Sequence, residues 1–558
     1  MSVAANEIQV NQVALYPDAT KLAVVPGAES GSFEIVDAKT NKVVFSAALP
    51  DKSKNWRPSG EAVKLADFSG FATEGRYYVK TAGARSAEFA IVGSEAYRPL
   101  LSSVMKSFYF WRMSTDIPRQ FGNGLGMNGL VANFARAMGH PDDAVRVHRS
   151  AASEDRPAGT IVSSPKGWYD AGDYNKYVVN AGVSVFFMAH ALEAFPAYFK
   201  GLDVDIPESG NTVPDLLDEL KWEYDWLLTM QDTDGGVYFK VTSLSFNGFE
   251  MPADDSLPRF MVGKSTTSAL DFAAMMAMGY RLFKPYETQF PGYAAACLVA
   301  AERAWAWAKA NPAVPFKNPS DVRTGEYGDG SFADEFFWAA AELFVSTGKA
   351  SYWKELDFEL GFAAPNWGYV ASNGLMSLAL HLDTLDAVAD RALIREKYRV
   401  SVDKLWKEYK NSTYKVSIFS FVWGSNGDVA SRAAFLMDAY RFLGDKKYLE
   451  AGMAGLDYLL GRNATGYCFV TGFGTKSPLH IHDRRSGADG IAAPIPGYLA
   501  GGPNASAGAD SGANAYPSRA PAKRYLDVES SYSTNEIAIN WNAPLLCLVA
   551  MVENAMAK

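Results

Sequence analysis

Two aspartates stand three positions apart, framed by aromatic residues and glycines, in "GWYDAGDYNKYV" at residues 167–178. Asp170 and Asp173 precede the apolar run "YVVNAGVSVFFMAHAL", which places them at the N-terminal entrance of a helix. A helix cap plus a turn aspartate is the ordinary reading of such a pair. The chemical reading is a general base: two carboxylates that hold one water between them.

A base needs an acid. The second dense stretch is "YLDVESSYSTNEIAINWNA" at 525–543, where Glu536 sits at the start of the last apolar segment with Tyr532 one turn before it and Trp541 after it. Glutamate in a first helical turn is common because it complements the helix dipole. Among aromatic rings, however, desolvation raises a carboxyl pKa and keeps the group protonated as an acid.

The third stretch, "FVTGFGTKSPLHIHDRRSG" at 469–487, carries His480 and His482, two of only six histidines, with Arg484 and Arg485. A His-x-His pair admits a metal site, but no cysteine or third histidine is near in sequence, and donors to sugar hydroxyls fit the pattern better.

These residues need a scaffold. From Ile8 to about Gly93, short β-rich segments separated by turn residues read as a sandwich of about seven strands. After Gly93-Ser94-Glu95 the periodicity becomes helical, so the boundary falls at residue 95, giving units 1–95 and 96–558. "PDLLDELKWEYDWLLTMQ" places Leu217, Leu220, Tyr224, Leu227 and Leu228 at helical spacing behind Pro214. Segments ending at Gly348, Gly444 and Gly461 have C-cap glycines. About twelve such segments without intervening strands suggest six antiparallel pairs, an α/α toroid. Its long loops, 232–264 and 464–530, can build a cleft at one end.

Composition narrows the function. The chain has 558 residues and a net charge of −9, which disfavours nucleic acid as a partner. Its 13 tryptophans and 28 tyrosines supply flat rings of the kind that stack on sugars. Three isolated cysteines, Cys297, Cys468 and Cys547, give neither a disulfide framework nor zinc spacing. No run reaches the apolar length of a membrane span, so no membrane partner is expected.

"DAGDYNKYV", "FVTGFGTKSPLHIHDRR" and "YLDVESSYSTNEIAINWNA" resemble, in this order, the motif regions of glycoside hydrolase family 9, and "DEFFWAAAEL" and "WGSN" look like that family too. The strand "IQVNQVALYP" is similar to the start of the subgroup with an N-terminal immunoglobulin-like domain. The resemblance implies an immunoglobulin-like β-sandwich followed by an (α/α)6 barrel, and an endo-β-1,4-glucanase acting with inversion. Exo-acting alternatives are a β-glucosidase, a cellobiohydrolase or an exo-glucosaminidase, and mixed-linkage glucan or xyloglucan are alternative substrates.

By the same resemblance Asp173 is the base, Asp170 helps hold the water, and Glu536 is the acid. His482, Arg484 and Tyr532 bind substrate, with Trp168 and Trp423 as sugar-facing aromatics. Asp334 and Glu335 match an acidic pair that ligates calcium in some members. The cysteines and histidines that bind zinc in others are missing, so no zinc is expected and no cofactor is needed for catalysis. The usual His-His-Arg-Pro run reads His482-Asp483-Arg484-Arg485 here, and an added acid beside the cleft would favour an amino sugar. A monomer acting on polysaccharide is expected, secreted or periplasmic, or cytoplasmic if it takes imported oligosaccharides.

Overall fold

The computed structural model describes residues 7–27, 31–127, 129–508, 510 and 515–557. The N-terminal part holds eight strands: β1 (Ala14–Leu15), β2 (Leu22–Pro26), β3 (Ser32–Asp37), β4 (Val43–Ala48), β5 (Lys54–Trp56), β6 (Glu61–Asp67), β7 (Gly75–Lys80) and β8 (Phe89–Ile91). They form one sheet in the order β1-β8-β7-β3-β4 and another in the order β2-β6-β5. Val25, Phe33, Ile35, Val79, Phe89 and Ile91 fill the space between the sheets. The strand not expected from sequence, β5, is three residues long, too short for an alternating pattern to register.

Twelve helices of the C-terminal part alternate between two environments. They are α1 (Arg98–Trp111), α2 (Val178–Ala194), α3 (Asp215–Thr229), α4 (Thr266–Phe283), α5 (Tyr293–Ala310), α6 (Ala333–Thr347), α7 (Ala350–Trp353), α8 (Ala371–Leu380), α9 (Arg391–Asn411), α10 (Ser425–Leu443), α11 (Lys446–Leu459) and α12 (Ile539–Met556). The even-numbered helices are buried on nearly every side, as expected for helices that are apolar all round. They touch in a closed circuit: α2 with α4, α4 with α6, α6 with α8, α8 with α10, α10 with α12, and α12 with α2. The odd-numbered helices pack outside it. In α5 only the stripe Ala294, Cys297, Ala300, Ala301, Ala304 and Ala308 is buried. Gly348 and Gly444 end α6 and α10 at φ 68° and 74°, as their sequence positions predict.

Strands do intervene between the helices, contrary to the sequence reading. β9 (Asn123–Gly126) and β10 (Gly129–Asn133) form a hairpin, and β11 (Val145–Val147), β12 (Ile161–Val162), β13 (Lys176–Tyr177), β14 (Tyr238–Thr242) and β15 (Phe260–Lys264) form a sheet in the order β12-β11-β15-β14-β13. Each is two to five residues long, and β14 is buried throughout, so no alternation marks it. The supposed loop 232–264 therefore contains both strands of the β14–β15 pair.

The sandwich grips the helical part through polar contacts and aromatic pairs. Tyr16 Oη donates to Glu553 Oε1 at 2.5 Å, Asn11 Nδ2 donates to Asp457 Oδ1 at 2.8 Å, and Trp56 lies on Tyr414 with ring centroids 4.2 Å apart. Gln12 Oε1 accepts the backbone N–H groups of Thr475 (2.9 Å) and Lys476 (3.0 Å), so the sandwich also fixes the segment leading to His482. Among the described residues no helix is long and apolar enough to cross a membrane.

Candidate active site

Three segments distant in sequence are joined here by backbone hydrogen bonds. The Ile539 N–H donates to the Asp170 carbonyl (2.9 Å), Arg484 N–H to the Gly172 carbonyl (3.0 Å), and His482 N–H to the Asn535 carbonyl (2.9 Å). Gly172 has to be glycine, because a Cβ there would lie 2.1 Å from the His482 carbonyl oxygen. Neither aspartate caps the following helix: β13 intervenes, and the residue before α2 is Tyr177. Glu536 is not in a helical first turn either. It is extended (φ −69°, ψ 160°) between a short turn at Tyr532–Asn535 and α12, and bridges to His482.

The two aspartates are buried but differently equipped. Asp170 Oδ1 accepts from Asn180 Nδ2 (2.8 Å) and Oδ2 from Tyr327 Oη (3.2 Å). Burial, and then the charge of Asp173, push the Asp170 carboxyl well above the ordinary range. Burial also raises Asp173, but the nearby Arg484 guanidinium, the Asn175 amide and Arg259 pull it back. A carboxyl pair of this kind titrates as a unit, and the cations favour placing its first negative charge on Asp173. Asp173 Oδ2 accepts from the Asn175 amide, whereas Oδ1 has no hydrogen-bond partner among the described residues.

Glu536 is raised well above the usual range, by burial first and then by the charge of Asp173, with Arg484 opposing. Both carboxyls are thus raised, Asp173 with cations beside it that favour its charge and Glu536 with the Asp173 charge against it. His482 is lowered by burial, with the hydrogen bond to Glu529 opposing and Arg484 adding to the fall, which favours its neutral form. Its Nδ1 is 2.8 Å from the Glu529 carbonyl, which can only accept, so Nδ1 carries the proton and Nε2 is left as an acceptor. Tyr532 (41% exposed) and Trp423 (49%) form an open aromatic surface, with ring centroids 5.5 Å apart and Tyr532 5.7 Å from His482. Trp541 packs beneath Gly424 and Gly427 rather than joining that surface.

Trp168 requires correction. It is 1% exposed, and its indole N–H donates to Glu219 Oε1 at 2.7 Å, so it is a core residue that supports the loop from behind and offers no face to a sugar. Asp483 does not face a ligand either. It is fully buried, pairs with Arg485 at 2.7 Å, and accepts from the Ser486 N–H, so the two departures from the His-His-Arg-Pro pattern satisfy one another. The premise for a cationic amino sugar therefore falls.

Asp334 and Glu335 lie in the first turn of α6. Glu335 and Asp271 of α4 are buried with both carboxylate oxygens lacking hydrogen-bond partners, and burial, followed by the charges of Asp271 and Asp334, pushes Glu335 up to about 11. Hard, desolvated oxygens suit calcium. Asp334 Oδ2, however, accepts from the Val370 N–H at 2.8 Å. Among the described residues no group of three or more His, Cys, Asp or Glu is arranged to hold a metal ion.

Sequence reasoning missed Asn175, Asn180 and Tyr327 on the aspartates, and Phe249, whose ring meets His482 edge-on at 5.3 Å. Only Asn175 had a signal, its position inside the motif.

Known proteins resemble this chain along nearly its whole length. Residues 97–549 match the Glycosyl hydrolase family 9 profile, and residues 3–86 match a cellulase N-terminal ig-like domain. A xyloglucan-specific endo-beta-1,4-glucanase of Bacteroides ovatus, BoGH9A, is 42% identical over 565 residues, covering 98% of this chain and 93% of the relative. Endoglucanase D of Acetivibrio thermocellus is 34% identical over 554 residues, covering 98% and 83%. A solved structure described as Bacteroides ovatus GH9 superposes with a TM-score of 0.90 at 40% identity, covering 99% of this chain and all of the other.

Proposed function

The chain belongs to glycosyl hydrolase family 9, and we propose that it is an endo-β-1,4-glucanase that cleaves within β-1,4-glucan chains with inversion at the anomeric carbon. The observation that carries this reading is the paired environment of Asp173 and Glu536: the first is favoured as the ionised carboxylate beside Arg484, and the second is kept protonated. In the proposed step Asp173 takes a proton from water as its oxygen bonds to the anomeric carbon. Glu536 gives its proton to the departing glycosidic oxygen as that bond breaks. Inversion requires the two carboxyls to be about 6.5–9.5 Å apart, with room for water between them. Asp170 helps hold the water, while His482, Tyr532 and Trp423 bind sugar. Arg484 belongs to this group through its effect on Asp173.

Several wider readings accompany this one. The closed circuit of helices is an (α/α)6 barrel, the unit boundary lies at residue 95, and the protein is a monomer that acts on polysaccharide outside the cytoplasm. No cofactor takes part in catalysis and no zinc is bound; Asp334 and Glu335 are the two carboxylates a structural calcium would use, and the described residues arrange no third His, Cys, Asp or Glu with them as a ligand. The xyloglucan-specific Bacteroides ovatus relative makes a branched β-1,4-glucan the first alternative to an unbranched one. Product lengths from cellohexaose and from xyloglucan, followed over time, test the reading. Mid-chain fragments appearing first support endo action, and release of glucose or cellobiose alone contradicts it. Glu536→Gln should bind the same chains without cutting them.

A further inference from the structure

Among the described residues the side-chain donor on Asp173 Oδ2 is the Asn175 amide, and the orientation of that amide is fixed from behind. The backbone N–H of Ser243 donates to Asn175 Oδ1 at 3.2 Å. Since a backbone N–H can only donate, the amide oxygen must face Ser243 and the NH2 must face Asp173. The Thr242 hydroxyl lies 2.8 Å from the same oxygen and 2.7 Å from the Ser243 carbonyl, and its single proton can go to either.

Behind Thr242 the network reaches a buried amine, Lys240, whose pKa burial lowers to about 7 against the opposing charge of Asp173. The Thr242 and Thr324 hydroxyls are 2.8 Å apart, and Lys240 Nζ donates to Thr324 Oγ1 at 3.2 Å. Lys240, Thr242 and Asn175 are all fully buried. The geometry permits donors to run in one direction, from the Lys240 amine through Thr324, Thr242 and Asn175 to Asp173. The antiparallel pairing of β13 with β14, Lys176 opposite Val241 and Tyr177 opposite Lys240, brings the two ends together.

We propose that Asn175 is a positioning residue for the base: locked by Ser243 and Thr242, it holds Asp173 Oδ2 and leaves Oδ1 to accept from the attacking water. This rests on the reading of Asp173 as the base. Arg484 and Arg259 are the cations acting on Asp173, with Lys240, lowered by burial to about 7, also facing it, Asp170 and Glu536 as neighbouring acids, and the phenols of Tyr177 and Tyr327 beside it. The Asn175 amide is the contact that can be removed without altering any of those charges. A hydrogen bond to a charged group in a buried site favours the ionised form, so its loss raises the pKa.

The test is the pH profile of kcat/KM for the full chain and its Asn175→Ala, Thr242→Val, Thr242→Ser and Asp173→Asn variants. Asn175→Ala should move the acidic limb up by about one pH unit and lower kcat about tenfold, with KM little changed. Thr242→Val should move the limb less, in the same direction, and Thr242→Ser, which keeps the hydroxyl, less again. If Asn175→Ala does not fold, Thr242→Val decides. An unmoved limb in a folded variant overturns the positioning role, even where activity falls. An active Asp173→Asn enzyme overturns the base assignment itself, whereas an inactive one alongside an unmoved limb overturns only the role of Asn175.

Discussion

Arg484 gives two hydrogen bonds to one oxygen, the carbonyl of Gly172: its backbone N–H at 3.0 Å and its Nη1 at 2.8 Å. A third, from Nε, goes to the Asn247 carbonyl at 3.1 Å. One guanidinium thus locks the aspartate loop to the segment that carries His482 and supplies the positive charge that favours ionised Asp173.

Arg484→Lys keeps the charge but loses the planar fork, and the two residues are not equivalent at such a site. The expected result is a fall in kcat/KM of about tenfold to a hundredfold, most of it in kcat, since a misplaced base costs on that scale. Steady-state kinetics on a soluble glucan measures it.

The pH dependence follows from the two directions of charge. Asp173 works ionised, and its carboxyl is raised, so activity should fall as pH drops through a value above the ordinary aspartate range. Glu536 works protonated and is raised well above its usual value, so activity should fall again only at higher pH. The kcat/KM profile should be bell-shaped, and Asp173→Asn should remove the acidic limb with the activity.

Asp483 and Arg485 neutralise each other in a fully buried setting. Removing one partner strands the other, which costs about 3–5 kcal/mol, whereas an apolar pair of similar volume is tolerated. Asp483→Ala should therefore lower the melting temperature sharply, and Asp483→Leu combined with Arg485→Met should recover much of it. Calorimetry distinguishes the two, and equal losses in both variants would contradict the pairing.

Asp271, Asp334 and Glu335 need either protons or a cation. Raised carboxyl pKa values mean that the folded state loses stability as pH rises through them, so a bound cation should matter most at neutral pH and above. Calcium should raise the melting temperature at pH 8, a chelator should reverse it, and Glu335→Gln should abolish the response. An identical melting temperature with calcium and with chelator would contradict a cation site.

The candidate site was legible in the sequence because its carboxyls lie in contiguous motifs. Asp170 and Asp173 sit within four residues of each other, and Glu536 stands among aromatics. The helices were legible through their period and their terminal glycines. What failed depended on contacts across the fold. Trp168 reads the same whether its ring faces a sugar or gives its N–H to Glu219. Asp483 reads as a free acid until Arg485 folds back on it. The β14 strand shows no alternation because both of its faces are buried, and so the partner of Asn175 stayed hidden in a segment that looked like loop.

The account stands on Asp173 and Glu536 acting in a single displacement. Proton NMR of the first minutes of cellohexaose cleavage reads this directly, before mutarotation mixes the anomers. Inversion at a β-1,4 linkage predicts that the newly formed reducing end appears first as the α-anomer. A β-anomer at the earliest times would mean retention through a covalent intermediate and would contradict the assignment of Asp173 as a base acting on water.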